Sequence, residues 1–254
     1  MKKRIERTIQ EALRAEEANA SATYWKEPII GYASAADPLF HQIKKWVSEQ
    51  HLLPHDILPE AVSVIVFFLP FLNEVVTSNI PGRTASEGWG EAYVKTNQAI
   101  ATINTVMTEF LASQNYLCAV TPATHNFDAH RLISTWSHRH VGYIAGLGRF
   151  GLNNMLITEN GCCGRLGSCI TNYAVTPTPR PTAEYCLYKA KGICQRCLSR
   201  CVNQAFDDGT YDRFACYEMC LENDTFLKNP ELTDVCGKCV VGVPCSLKNP
   251  VQRA

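Results

Sequence analysis

Charge of one sign is not in excess: 24 lysines and arginines stand against 24 aspartates and glutamates in 254 residues, so the formal net charge is zero. That excludes an attraction of the whole molecule to nucleic acid and leaves a local patch as the only electrostatic route to it. Long apolar runs are lacking too; the longest, residues 62–71, is too short to cross a bilayer. The start, MKKRIERTIQEALRAEEANA, is basic but has no apolar stretch and no small-residue cleavage site, so it does not read as a signal peptide. No repeat of solenoid period and no low-complexity tract is present. These absences set the expectation of a cytoplasmic protein with no membrane partner, in a compartment where thiols stay reduced and available to metal. With 46% hydrophobic residues, the chain can bury a core of one or two domains.

What is there is cysteine. Nine of the thirteen lie between Cys186 and Cys245. Their order is Cys186-x7-Cys194-x2-Cys197-x3-Cys201, then Cys216-x3-Cys220, then Cys236-x2-Cys239-x5-Cys245. The Cys-x2-Cys-x3-Cys core is the tail of the bacterial two-cluster ferredoxin run, whose last cysteine serves the other cluster. Two residues between cysteines in a tight loop let successive sulfurs reach different irons of one cube. The wider gap before Cys201 begins a helical turn and swings that sulfur toward a neighbour. A zinc ribbon also uses Cys-x2-Cys pairs but takes four ligands. Disulfide frameworks belong to short secreted chains, and buried free thiols would explain one or two positions. Two iron–sulfur clusters fit the spacing best, zinc next and disulfides last.

Along the chain, Ile5, Ile9, Ala12 and Leu13 recur at helical spacing and predict an amphipathic first helix over about twenty residues. An extended piece follows near residues 28–32. Pro38 then opens a second helix with Leu39, Ile43, Trp46 and Val47 on one face. Residues 61–69 form a continuous β-branched and aromatic run ended by Pro70, which predicts a buried central strand in a sheet covered on both faces. Residues 71–88 read as a polar loop, 89–113 as a long helix and 116–120 as a short strand. The alternation of strands with helices predicts an α/β layer architecture.

The middle stretch holds Gly146-Leu-Gly-Arg-Phe-Gly151, which matches the dinucleotide fingerprint by letter. Context argues against it, since a helix-like segment precedes and an extended one follows, with no acidic residue at the ribose distance. The glycines read as a helix C-cap and a close backbone approach, or as a loop on which a flat cofactor rests. His138 and His140 are two apart and share no helical face, so packing or hydrogen bonding is expected of each, with a cofactor contact for one as the lesser reading. Asp128 reads as a helix N-cap or a general acid. Cys162 and Cys163 read as loop residues, with a redox-active pair as the lesser reading, and Cys118 as a small buried hydrophobe on its strand.

Taken together, LPEAVSVIVFFLPF (58–71), AGLGRFGLNNMLIT (145–158), the Cys194-x2-Cys197-x3-Cys201 run, FACYEMCLEN (214–223) and CGKC (236–239) resemble the epoxyqueuosine reductase family, which is related to the reductive dehalogenases. The resemblance covers roughly residues 55–250. It implies a nitroreductase-like, cobalamin-binding α/β domain over residues 1–180, followed by a ferredoxin-like module with two 4Fe-4S clusters over 181–254, an α+β or α/β chain as a whole. By position, Cys186, Cys194, Cys197 and Cys245 would hold one cluster and Cys201, Cys216, Cys236 and Cys239 the other, with Cys220 spare or an alternative ligand. Gly146, Leu147, Gly148, Phe150, Gly151 and Asn153 would lie against the corrin, and Asp128 is the nearest candidate for the family's catalytic aspartate. Departures from the family's pattern are the eight-residue step from Cys186 to Cys194, Val202 in place of a proline, and the different sequence around Asp128. The resemblance is to a short member lacking the family's C-terminal helical-repeat domain, which helps bind tRNA, so a tRNA substrate is doubtful.

The function expected is an oxidoreductase. An external low-potential donor feeds two clusters, which reduce a corrinoid that acts on a small organic substrate. The alternative is an electron-transfer protein, a carrier or corrinoid-reducing partner without substrate chemistry of its own.

Overall fold

The computed structural model describes residues 1–20, 22–206 and 210–251. At its centre is a four-stranded sheet built from β1 (Ile29–Ser34), β2 (Ser63–Pro70), β3 (Cys118–Val120) and β8 (Gly164–Thr171), in the order β1-β2-β8-β3. All eight residues of β2 are buried. Alternate side chains explain why: Ile65, Phe67 and Leu69 join one core, and Val64, Val66 and Phe68 join another on the opposite face. The run over residues 61–69 is thus the central, doubly covered strand that its composition predicts.

The neighbours of that strand differ from the expected α/β pattern. Every pairing is antiparallel: Ile29 opposite Phe68, Ser63 opposite Thr171, and Cys118 opposite Thr171. The fold is therefore α+β. An unbroken apolar run reports burial on both faces and carries no information on the direction of its neighbours. The strand that sequence reasoning missed is β8, GRLGSCIT, whose glycines and serine hide it. Gly167 is required there because a Cβ would overlap the Phe67 ring.

One face of the sheet is covered by α1 (Lys2–Asn19) and α5 (Glu87–Ser113), which pack on each other. Helix α1 buries Ile5, Ile9, Ala12 and Leu13, as its spacing predicts. Helix α5 begins at Ser86, whose hydroxyl accepts from Trp89 N at 3.2 Å. The other face is covered by α2 (Leu39–Trp46) and α6 (His138–Ile144). Helix α2 buries Phe40 and Ile43, whereas Trp46, expected on its apolar face, is 47% exposed. Within the stretch expected to be a polar loop, α4 (Asn73–Ser78) forms because Val75 and Val76 reach the core. Two small hairpins, β4 (Phe127–Asp128) with β5 (Ile133–Ser134) and β6 (Gly148–Phe150) with β7 (Leu156–Thr158), stand apart from the main sheet. Short helices α3 (Pro54–Ile57), α7 (Leu187–Lys191) and α8 (Arg196–Ser199) and the longer α9 (Arg213–Leu227) complete the chain. Tyr185, Cys186, Val240 and Val241 belong to the same apolar cluster as Ile65 and Phe67. No helix among the described residues is long and apolar enough to cross a membrane.

Candidate functional site

The cysteine-rich third folds into two sets. Cys186 caps the start of α7, whose end is turned by Gly192 in the left-handed region. Cys194 itself adopts a positive φ of 77°, and Cys197 lies in α8. These three line a small cavity together with Cys245, Gly151 and Asn153. A second cavity of about 300 Å³ is lined by Cys201, Cys216, Cys220, Cys236 and Cys239. Helix α9 presents Cys216 and Cys220 to it one turn apart. The helix is started by Asp212, whose carboxylate accepts from Phe214 N and Ala215 N. Among the described residues no three His, Cys, Asp or Glu side chains close on one point as a lone metal ion requires. Each set instead borders a space.

Burial makes several of these thiols hard to ionise. Burial, reinforced by Cys245, Cys186 and Cys194, pushes Cys197 up to about 11. Burial, opposed by a backbone N–H and reinforced by Cys216 and Cys201, pushes Cys236 up to about 11 as well. Cys239 and Cys220 are raised further by burial and by their thiol neighbours. Many thiolates in one dry place repel, and a bound cation removes that cost.

Two side chains on the second cavity were not singled out by sequence reasoning. Lys238 is 1% exposed, and its Nζ donates to the carbonyls of Asn79 (2.9 Å) and Pro81 (2.8 Å), tying the Cys236–Cys239 turn to the loop before α5. Trp89 lines the cavity, and its indole N–H is buried with no partner among the described residues. Gly237, at a φ of 73°, lets the turn pass flat against that indole. Cys162, expected as a plain loop residue, is fully packed between the two sets. It lines the larger cysteine cavity, hydrogen-bonds through sulfur to Cys245, and donates its backbone N–H to Cys245 O at 3.0 Å. Cys163 is likewise buried, its sulfur directed to Val240 O. Adjacency in sequence gave no signal of this, because the partners lie some eighty residues further on.

A third cavity, of about 500 Å³, adjoins the second. Cys216 and Cys220 of α9 line both. Its other walls are Trp46, Phe127, Phe150, Tyr211 and Tyr217, with polar Ser134, Ser137, Arg139, Asn154 and Arg213. His140 also lines it, stacked on Trp46 and tilted against Phe150. Burial, then Arg139 and His51, lower His140 to about 4, so the ring is neutral near pH 7. Its Nδ1 is bonded to Ser137 Oγ at 2.8 Å. His138 is turned away: Nε2 donates to Pro122 O, and Nδ1 is bonded to Ser168 Oγ. The expectation that the two histidines do not share a face holds.

The residues of the glycine loop are divided among these places. Phe150 lines the third cavity, whereas Gly151 and Asn153 line the small cysteine cavity, with Asn153 Nδ2 donating to Cys239 O. Gly146, Leu147 and Gly148 face protein. A Cβ on Gly146 would meet the Pro179 and Thr178 carbonyls, and one on Gly148 would overlap the Ile157 carbonyl across the β6–β7 pair. Leu147 packs in the core beside Gly31. Asp128 caps the turn between β4 and β5, not a helix as expected. Its carboxylate accepts from Arg131 N and His130 N, which hold it below the usual carboxylate range. It does not line the third cavity, although its hairpin does.

No family model matches the sequence, and no curated protein does. Solved structures match in fold. Epoxyqueuosine reductase from Bacillus subtilis is 17% identical at a TM-score of 0.58, covering 95% of this chain. An epoxyqueuosine reductase with an epoxyqueuosine-modified tRNA stem loop matches equally, with a TM-score of 0.58 and 17% identity over 95% of this chain. A catabolic reductive dehalogenase in complex with 3-bromo-4-hydroxybenzoic acid is 16% identical at a TM-score of 0.60 over 95% of this chain. The chain spans 66% of the length of these reductases and 32% of that dehalogenase. It has the fold that these proteins share.

Proposed function

We propose that the chain is a reductase of the epoxyqueuosine reductase and reductive dehalogenase kind, carrying two 4Fe-4S clusters and a corrinoid. In this reading, residues 1–180 provide most of the cofactor-binding part and residues 181–254 the cluster-bearing part. The observation that carries it is the interleaving of the cysteines. Cys245, last in sequence, returns to the set of Cys186, Cys194 and Cys197, while Cys201 leaves its neighbours for the set of Cys216, Cys236 and Cys239. A two-cluster module requires that crossing.

The donor sets fit the clusters. Four thiols in each set supply what a cubane takes, and the unpartnered Trp89 N–H on the second cavity is suited to a sulfur acceptor. Cys220, in the same cavity, stands ready as an alternative ligand. The third cavity suits a flat ring, with aromatic walls for its faces and Ser134, Ser137, Asn154, Arg139 and Arg213 for polar side arms. A corrinoid bound there would supply a cobalt centre of low potential, and the clusters would supply single electrons. His140 is neutral near pH 7, and in the tautomer in which Ser137 Oγ donates to Nδ1 its Nε2 carries the proton and would be the donor to a bound group. This reading assigns Asp128 no catalytic role, because its Oδ1 accepts from Arg131 N and His130 N and the residue does not line the third cavity. A small organic substrate is favoured over tRNA, because the chain has no net positive charge to draw a polyanion.

Anaerobic reconstitution with iron and sulfide tests the reading. About eight irons per chain are expected, and Cys197→Ser and Cys239→Ser should each remove one of two paramagnetic signals on reduction. Titration with cob(II)alamin should then shift the cobalt signal to its base-off form. Failure to take up iron rejects the clusters. Full clusters with an unchanged cobalt signal leave an electron-transfer protein.

A further inference from the structure

The first cysteine set is carried by a stretch whose charged residues are all basic. Residues 187–200 contain Lys189, Lys191, Arg196 and Arg200 and no aspartate or glutamate. Arg200 is turned inward, with Nη2 on Ile80 O and Nε on Lys238 O, so Lys189, Lys191 and Arg196 are the exposed cations of the stretch. The nearest acid before it, Glu184, is bound by Arg149. Amid these cations two large apolar side chains stand in solvent: Tyr188 is 37% exposed and Ile193 54%. Both belong to the loop that carries the cysteines. Tyr188 lies two residues after Cys186, and Ile193 immediately precedes Cys194.

Exposed apolar side chains ringed by charge of one sign are how a docking surface is built, the apolar part giving contact and the charges steering and orienting the approach. Neither Tyr188 nor Ile193 lines the small cavity beneath, whose walls include the cysteines themselves. The first set lies beneath this surface, whereas the third cavity shares Cys216 and Cys220 with the second set and no lining residue with the first.

We infer that residues 188–196 are the docking surface of a small acidic one-electron carrier protein, which delivers its electrons to the centre held by Cys186, Cys194, Cys197 and Cys245. This rests on the reading that the cysteine sets hold clusters. In each encounter the carrier is oxidised by one electron and the outer centre is reduced by one, and no bond is made or broken. The second set then passes the electron toward the third cavity. The surface thereby separates the entry of electrons from the place where substrate is bound.

The test is stopped-flow reduction of the reconstituted full chain, followed by the loss of cluster absorbance. Reduced flavodoxin serves as an acidic protein carrier, and reduced methyl viologen as a small reductant needing no docking. Lys189→Glu with Arg196→Glu, and separately Ile193→Ser, should slow reduction by flavodoxin at least about tenfold at low salt. They should leave reduction by viologen unslowed. Added salt should slow the wild type with flavodoxin and have little effect on the charge-reversed variant. Lys189→Glu alone, on the exposed side of α7, covers the chance that changes beside Cys194 and Cys197 disturb the centre. Iron content and the paramagnetic signal of each variant report that directly. Equal rates with flavodoxin in wild type and variants overturn the proposal. So does RNA binding that these substitutions abolish while carrier reduction stays unchanged. A wild type that takes up no iron overturns the underlying reading, and this surface with it.

Discussion

His138 shows how a single side chain can carry information on stability without touching the site. It is 8% exposed and sits in a chain of bonds: Trp136 Nε1 donates to Ser168 Oγ, the Ser168 hydroxyl meets His138 Nδ1, and His138 Nε2 donates to Pro122 O. Burial, outweighing the bond to Pro122, lowers its pKa from 6.5 to about 4. The unfolded chain therefore takes up this proton near pH 6.5, and the folded one only near pH 4. Between those values the unfolded state binds more protons, so stability is full above pH 6.5 and falls as the pH drops toward 4. The loss from this one group is on the order of 3 kcal/mol. His138→Gln should flatten the fall in urea midpoint between pH 7 and pH 5. An unchanged slope would show that the histidine titrates normally.

At the scale of elements, the β6–β7 hairpin is the joint between the sheet and both kinds of cavity. Phe150 at its end reaches the large cavity, and Gly151 and Asn153 just beyond reach the first cysteine set. The glycine at its start is needed by the pairing itself, since a Cβ on Gly148 has no room beside the Ile157 carbonyl. Gly148→Ala should cost about 1–3 kcal/mol and lower the thermal midpoint. The weakened hairpin should also loosen the walls that Phe150 and Asn153 supply. An unaltered midpoint would mean the two strands part without cost. Helix α9 has the matching role on the other side, because its Cys216 and Cys220 border two cavities at once.

At the scale of the molecule, the cysteine-rich third shares its core with the sheet. Tyr185, Cys186, Val240 and Val241 pack with Ile65, Phe67 and the helices above them, and Asn79 Nδ2 donates to Cys236 O across the boundary at 2.8 Å. A single cooperative unfolding transition is therefore expected in calorimetry. Two separated transitions would show residues 181–254 to be a unit that folds by itself.

The sequence by itself determined the elements whose signal is local. The spacing of Ile5, Ile9, Ala12 and Leu13 fixed the first helix, and the run at residues 61–69 fixed the central strand. Strand β8 was illegible because Gly164, Gly167 and Ser168 break its pattern, and only Phe67 pressing on it makes glycine necessary. The tertiary structure alone decided the antiparallel order of the sheet, the place of Cys162 between the two cysteine sets, and the inward turn of Lys238. It also showed that Gly146 and Gly148 make room for protein carbonyls, the close backbone approach that was one of the readings their sequence left open. The physical reason is common to all of these. Periodicity and spacing record how a residue relates to its chain neighbours, whereas a close approach between segments eighty or more residues apart leaves no mark on either until both are folded.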